Sequence, residues 1–433
     1  MIRQENVNVL NEEMPFEIAE LFFSTTDTKG IIRTCNDVFL RVSGFQPEEL
    51  LAKPHNIIRH PDMPRCVFYL LWDYLLSGKP IGAYVKNRAK NGKYYWVYAL
   101  ASPMKDGFIS VRLKPTSDLF DTVRKLYAEL LSIERSYSSW KDGMAASTSE
   151  LLKRLQTLGF ETYTDFMNAT LRAEMLSRDS KVASSSRESR TPDDEKVLVL
   201  KRIFLGLDSL LQLKSTLRSK EAFFLTLGTH ISRVAMNASV RAAHLAESGR
   251  SLSAISEEVS RISGEIERDS DVLRSRSGEL AEGIGEVSFH IAQAILQSQA
   301  KLFFAAEQAR NELPPSAQSA RYGAPVDDIV AELSGCVHDS LSRSVNGIAT
   351  LKTAVGGFEE IARSLEKILL TIQFSYVTGK TLTARIDSGD TFAALLADMV
   401  SLSESARDEV CTLRDSVARV KKDISQWNAL SLR

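Results

Sequence analysis

AYVKNRAKNGKYYWVYALASPMKDGFISVRL, residues 83–113, contains three β-prone runs separated by two tight-turn dipeptides. Asn91-Gly92 and Asp106-Gly107 favour the positive φ that short hairpins require. Ala83–Arg88, Lys93–Pro103 and Phe108–Leu113 are therefore predicted as consecutive antiparallel strands. Upstream, Leu21–Thr26 and Ile31–Cys35 flank Asp27-Thr28-Lys29-Gly30, a further hairpin signal. Between the two groups, Asn36–Gly44 reads as a short helix, and Pro61–Ser77 contains a longer one with an apolar face. Two strands, a helical middle and three strands predict an α+β domain over residues 15–116, built on a five-stranded antiparallel sheet.

From residue 117 onward the pattern turns helical. Residues 117–180 read as a connector of two or three short helices broken at Gly159, and the polar, Ser-rich residues 181–194 as a mobile linker. Beyond it, Ile203, Leu210, Leu217, Phe224 and Ile231 stand seven apart, as do Leu252, Val259, Ile266, Leu273, Leu280 and Val287. A strict seven-residue apolar repeat is a coiled-coil seam. The two rows mirror each other about residue 245, so residues 195–310 are predicted to fold back as an antiparallel hairpin. NELPPSAQSARYGAP (311–325) breaks the helices. A second pair of rows follows over residues 326–430. Val330, Val337, Leu351, Phe358, Leu365 and Ile372 ascend, and Phe392, Met399, Ala406, Leu413, Val420 and Trp427 descend, with a turn expected at Asp387-Ser388-Gly389. Two all-α hairpins in one chain can pack as a four-helix bundle without a partner.

The 433 residues are enough for about three domains, and 44% hydrophobic with 25% charged residues predicts packed cores. With 54 Lys+Arg against 55 Asp+Glu, no global attraction to nucleic acid or anionic lipid is expected. Cys35, Cys66, Cys336 and Cys411 are widely spaced, with neither CxxC nor zinc-ligand spacing, which fits a reducing cytoplasm. No apolar run approaches the ~20 residues of a membrane span, and no signal peptide opens the chain. A cytoplasmic location is expected.

The loop His55-Asn56-Ile57-Ile58-Arg59-His60-Pro61-Asp62-Met63-Pro64 opens the longer helix of the first domain. Asp62 is placed to cap that helix, Arg59 offers a planar fork of donors, and His60 a donor that can switch near neutral pH. STTDTKGIIRTCNDVFLRVSGFQPEEL, KPHNIIRHPDMPRCVFYLLW and VKNRAKNGKYYWVYALASPM together closely resemble the PAS domain of bacterial aerotaxis receptors. The resemblance covers about a quarter of the chain. It implies a PAS fold that binds FAD noncovalently and reports redox state, with Asn36, Arg59, His60, Asp62, Trp72 and Asn87 at the flavin site. One departure is Ile81, which stands where the family carries a pocket aromatic; Tyr84 is the neighbouring aromatic available to compensate. Haem ligated by His55 or His60 is the alternative cofactor.

A second resemblance lies at the first predicted turn. NASVRAAHLAESGRSLSAISEEV (237–259) is similar, without a gap, to the signalling tip of chemoreceptors, the methyl-accepting chemotaxis proteins. In that family the tip binds the chemotaxis histidine kinase and its coupling protein, which implies a partner-binding tip at Asn237, Arg241, His244, Glu247 and Arg250. Arg241 stands where the family has Glu. That reversal shifts a contact charge by two units, enough to redirect partner choice.

No Walker A loop, nucleophile elbow, HExxH or dinucleotide Gly fingerprint is present, so no enzyme is expected. The reading is a signal-transduction protein that senses redox state or oxygen through a PAS-bound flavin and relays it through a chemoreceptor-like bundle to a protein partner, with a homodimer open. A cofactor-free PAS scaffold docking a partner through the bundle is the alternative; nucleic-acid binding is not expected.

Overall fold

In the computed structural model, which describes residues 9–182, 192–244, 250–311, 313–383 and 390–431, the chain divides into two compact units. One comprises Met1–Phe204 and Ser288–Ser344, the other Leu205–Val287 and Val345–Arg433. No helix among the described residues is long and apolar enough to cross a membrane.

The first unit is built on the expected five strands: β1 (Phe22–Thr26), β2 (Ile32–Cys35), β3 (Ile81–Arg88), β4 (Tyr94–Met104) and β5 (Gly107–Leu113). They pair antiparallel in the order β2-β1-β5-β4-β3. At the β4–β5 hairpin Met104 faces Gly107, where a Cβ would stand only 1.8 Å from the Thr26 carbonyl oxygen of β1. Only glycine lets β1 approach that closely.

Between β2 and β3 come α1 (Asp37–Ser43), α2 (Pro47–Leu50), a 3₁₀ turn at His55–Ile58 and α3 (Arg65–Leu76). After β5 come three connector helices, α4 (Asp118–Ser136), α5 (Trp140–Thr157) and α6 (Tyr163–Val182), with Gly159 in the α5–α6 break at φ +90°. Then follow α7 (Pro192–Gly206), α8 (Asp208–His244), α9 (Arg250–Asn311), α10 (Pro315–Tyr322), α11 (Val326–Thr383) and α12 (Asp390–Ser431). Of the expected linker 181–194, residues 183–191 lie outside the described residues, and the flanking positions are helical.

An antiparallel sheet commonly leaves one face to solvent. Here both faces are covered, and β4 is buried over almost its whole length. Tyr84, Trp96 and Tyr98 leave one face toward the connector. Tyr84 stacks on Phe120 of α4, and the Tyr98 hydroxyl donates to the Met167 carbonyl of α6. On β1 of the same face, Phe23 meets Phe304 of α9 edge-on at 5.1 Å. That stretch of α9 is apolar nearly all round, with Ile291, Ala292, Ala294, Ile295 and Leu296 all buried, as an internal helix must be.

The second unit rests on the heptad rows. Leu210, Leu217, Phe224 and Ile231 of α8 are buried, as are Leu252, Val259, Ile266, Leu273, Leu280 and Val287 of α9. Leu351, Phe358, Leu365 and Ile372 of α11, with Met399, Ala406, Leu413, Val420 and Trp427 of α12, are buried too. Lateral bonds fix the neighbours. Ser263 Oγ donates to the Gly228 carbonyl (2.8 Å) and Arg274 pairs with Glu221 (2.6 Å) between α9 and α8. Leu351 of α11 lies against Gly283 of α9. Arg414–Glu366 (3.0 Å) and Lys421–Glu359 (2.7 Å) tie α12 to α11, and Lys220–Glu409 ties α12 back to α8. The contacts thus run α8–α9–α11–α12 and return to α8. The expected turns at 245 and at 387–389 lie outside the described residues.

Ion pairs at the surface each contribute ~0–1 kcal/mol, so the more exposed of these, Arg414–Glu366 and Arg274–Glu221, set register more than stability. The Ser263–Gly228 bond is buried and reports the α8–α9 register directly. Ser263→Ala is expected to cost about 1 kcal/mol in urea unfolding of the full chain. A neutral substitution would show that the hairpin is held without it.

Candidate functional site

The sheet face opposite the connector closes over a cavity of ≈ 260 Å³, just below the ~300–1,000 Å³ usual for small-molecule pockets. Alternation within the strands selects the lining. Val85 and Asn87 of β3, Ala99 and Ala101 of β4, Ser110 and Arg112 of β5, and Ser24 and Thr26 of β1 all line it. The opposite wall is α3, through Phe68, Leu71, Trp72 and Leu75. Trp72 meets Phe108 edge-on at 5.7 Å. Its ring also lies where a Cβ on Gly30 would stand, 3.0 Å away, and Gly30 turns the β1–β2 hairpin at φ +78°.

Three cations line this cavity, Lys29, Arg59 and Arg112, and no carboxylate does. Arg59 lies over the Phe68 ring at 4.2 Å and donates to the Met63 carbonyl at 3.1 Å. Burial, then the nearby Arg65 charge, lowers its pKa. Arg112 is 4% exposed. Its Nη2 donates to Ser24 Oγ (2.9 Å) and to His55 Nε2 (2.6 Å), and its guanidinium stands 5.1 Å from the Phe39 ring. Nη1 is buried with no hydrogen-bond partner, and no carboxylate among the described residues pairs with the group. Burial pulls the Arg112 pKa down to about 10. Burial, and then the Arg112 charge, holds His55 neutral, far below the ordinary histidine range. With Nε2 accepting from Arg112, the His55 proton sits on Nδ1.

Of the residues singled out in the sequence, Arg59, Trp72 and Asn87 come together in this cavity. Asn36, His60 and Asp62 stand elsewhere. The Asn36 side chain is buried at the start of α1, accepting from Phe23 N–H (3.1 Å) and donating to the Leu21 carbonyl (2.9 Å), so it fastens α1 to β1. His60 is buried against Tyr94, and its Nδ1 accepts from Asp62 N–H at 3.1 Å. Burial, then the Lys86 charge, pulls its pKa down to about 4, so it does not switch near neutral pH. Asp62 spends its carboxylate on Lys86 (3.0 Å) and Arg135 (3.3 Å) rather than capping α3. Tyr84 does not compensate for Ile81, because strand alternation sends its ring to the opposite face, where its hydroxyl donates to Glu174 at 2.8 Å.

Haem does not fit. His55 Nε2 is committed to a guanidinium, and His60 does not line the cavity. The described residues hold no cluster of His, Cys, Asp and Glu suited to a metal ion. A flavin ring fits better. The walls are apolar and aromatic, and the polar lining offers donors to a planar ring edge and positive charge to phosphate. Sequence reasoning passed over Arg112. No local signal marks it, because Ile109, Val111 and Leu113 carry the apolar parity of β5 and leave Ser110 and Arg112 on the polar one.

In the second unit, Asn237 and Arg241 are exposed near the end of α8, and Arg250 opens α9. His244 closes α8, and Glu247 lies outside the described residues.

Residues 32–109 match the PAS fold family. The N-terminal domain is a PAS domain. The chain is 40% identical over 127 residues to the aerotaxis receptor of Escherichia coli (strain K12), a match covering 28% of this chain and 25% of the receptor. It therefore spans about a quarter of the length of that curated relative. A blue-light activated histidine kinase of Erythrobacter litoralis is similar in structure over 37% of this chain and 53% of the kinase, at 12% identity and a TM-score of 0.22. The PAS domain, resembling that of an aerotaxis receptor, is thus followed by a mostly helical region in keeping with chemoreceptor-like signalling.

Proposed function

We propose that the PAS cavity binds FAD and that the chain is a cytoplasmic, non-enzymatic sensor of redox state or oxygen, relaying the state of that cavity to a protein partner. The observation that carries this reading is Arg112, a buried guanidinium without a carboxylate in a cavity lined by cations and aromatic rings. Leaving such a charge uncompensated is costly unless a ligand supplies the missing acceptor. The isoalloxazine ring, when bound, supplies reversible electron transfer.

The protein's own part is binding and orientation. Trp72, Phe68 and Phe108 bound the ring space, Arg112 and Lys29 supply positive charge, and Asn87 and Ser110 add hydrogen-bonding groups. In this reading Asn36 and His60 act from behind the cavity, through the strand and loop they fasten, and Asp62 through its ion pairs. The second unit reads as a chemoreceptor-like four-helix bundle, with the tip around Asn237, Arg241, His244, Glu247 and Arg250 offered to a chemotaxis kinase, its coupling protein or a diverged substitute. The similarity to a receptor over the PAS region supports signalling rather than catalysis.

The test is an absorption spectrum of the purified full chain before and after addition of FAD. A flavin band that stays with the protein through gel filtration is expected. A colourless protein that takes up no FAD would overturn the cofactor reading.

A further inference from the structure

The amides that open a helix lack intrahelical acceptors, and α3 has no cap of its own. Pro64 precedes it and gives no side-chain acceptor, and Asp62 is turned away to Lys86 and Arg135. The first amides of α3 donate instead to a residue far along the chain. Arg65 N–H reaches Glu134 Oε2 at 2.9 Å, and Cys66 N–H reaches Glu134 Oε1 at 3.1 Å. Glu134 belongs to the last turns of α4. The Ser147 hydroxyl of α5 donates to the same Oε1 at 2.8 Å. Gly143 of α5 sits so close that a Cβ there would lie 2.8 Å from the Glu134 carbonyl oxygen. One carboxylate therefore joins α3, α4 and α5.

The position of this joint matters. α3 is the cavity wall that carries Phe68, Leu71, Trp72 and Leu75, while α4 and α5 belong to the connector. A carboxylate on two helix-opening amides is held by charge-assisted hydrogen bonds and by the positive end of the helix dipole. An axial shift or tilt of α3 must then carry Glu134 with it or break those bonds. α3 also meets the connector where Arg65 lies over the Trp140 ring of α5 at 5.8 Å, and near its far end Tyr74 holds it to α6 through Oη to Thr164 Oγ1 at 2.8 Å and ring contact with Tyr163.

We infer that Glu134 is the positioning residue through which a displacement of α3, the helical wall of the cavity, passes to α4 and α5. The inference rests on reading the cavity as the sensory site, and it names the path by which that site speaks to the rest of the chain. The arrangement works as a fastener: Ser147 orients the carboxylate from the connector side, and the α3 amides grip it from the cavity side.

Amide hydrogen exchange on the full chain tests it, with Leu71→Ala used to loosen the cavity wall without any ligand. In the wild-type background, Leu71→Ala is expected to raise exchange of residues 118–157 at least threefold. In the Glu134→Ala background the same substitution is expected to change it less than 1.5-fold, and Glu134→Gln, which keeps one acceptor, should lie between. A purely structural Glu134 would leave the Leu71→Ala ratio the same in all three backgrounds, and that equality would overturn the inference. Should Glu134→Ala not fold, the comparison of Glu134→Gln with wild type decides by the same ratio. A parallel arm compares exchange with and without FAD. Lack of FAD uptake there sinks the cofactor reading alone, because the Leu71→Ala ratios still decide the role of Glu134.

Discussion

Arg112→Met is expected to weaken FAD binding about 10- to 150-fold, the span of losing ~1.5–3 kcal/mol of hydrogen bonding to a charged group. The same substitution should leave the unliganded protein as stable as wild type, or more so. The two effects have opposite signs for one physical reason. In the unliganded chain the guanidinium is buried, has no carboxylate, and leaves Nη1 without a partner. Replacing a buried charge by an apolar side chain of similar length is often neutral or stabilising. Ser24 Oγ, 3.5 Å from His55 Nε2, can turn to donate to the imidazole once Nη2 is gone. In the liganded chain the same change removes the one cavity cation that is buried and held in place by fixed partners. Fluorescence titration with FAD, paired with thermal unfolding without FAD, separates the two. A variant that loses stability but binds as wild type would show Arg112 to be a structural residue.

Much of the architecture could be read in the sequence because its signals are local. Asn91-Gly92 and Asp106-Gly107 mark hairpins wherever they stand. The seven-residue rows name their own buried face, and every residue of the α8 row from Leu210 to Ile231 is buried. Arg59, Trp72 and Asn87 were legible through their motif. Arg112 was not, since a charged residue on a strand reads as solvent-facing until tertiary packing buries it. The interruption between α7 and α8 was equally hidden in an apolar row that continues across it. Gly206 stands there against the Trp427 ring, a contact between residues far apart in the chain.

The least legible feature is how the PAS helices are capped. Asn36, Pro64 and Ser117 precede α1, α3 and α4, and none caps its helix through its side chain. For α3 and α4, carboxylates from distant helices hold the backbone there instead. Glu134 of α4 accepts from Arg65 and Cys66, which open α3, and Glu174 of α6 from Thr116 and Ser117, which lead into α4. A local cap can be read from four consecutive residues. A cap supplied from many residues away leaves no such trace. Its consequence is mechanical: the PAS helices cannot be set without the helices that follow the sheet.

Glu174→Ala gives the sharpest measure of that dependence. Glu174 is fully buried and accepts from Tyr84 Oη (2.8 Å), Thr116 N–H (2.6 Å), Ser117 N–H (3.1 Å) and Ser117 Oγ (2.7 Å). Truncation leaves the two backbone amides without an acceptor, while Tyr84 Oη and Ser117 Oγ, 3.3 Å apart, can turn to each other. At ~1–3 kcal/mol for each unsatisfied donor, partly relieved by relaxation and entering water, the loss should reach about 3–5 kcal/mol. Glu174→Gln separates charge and acceptor capacity from volume. Its amide nitrogen would face donors where the second carboxylate oxygen stood, so about 2 kcal/mol should still be lost. Urea unfolding followed by tryptophan fluorescence reads this well, since Trp72, Trp96 and Trp140 lie in the first unit and Trp427 in the second. If Glu174→Gln kept wild-type stability, the second oxygen would be dispensable and the connector would be held on the sheet by its aromatic contacts alone. A loss confined to the first unit would instead show that one buried carboxylate joins β3, the start of α4 and α6. The sheet face behind the cavity would then be bound to the connector as α3 is through Glu134.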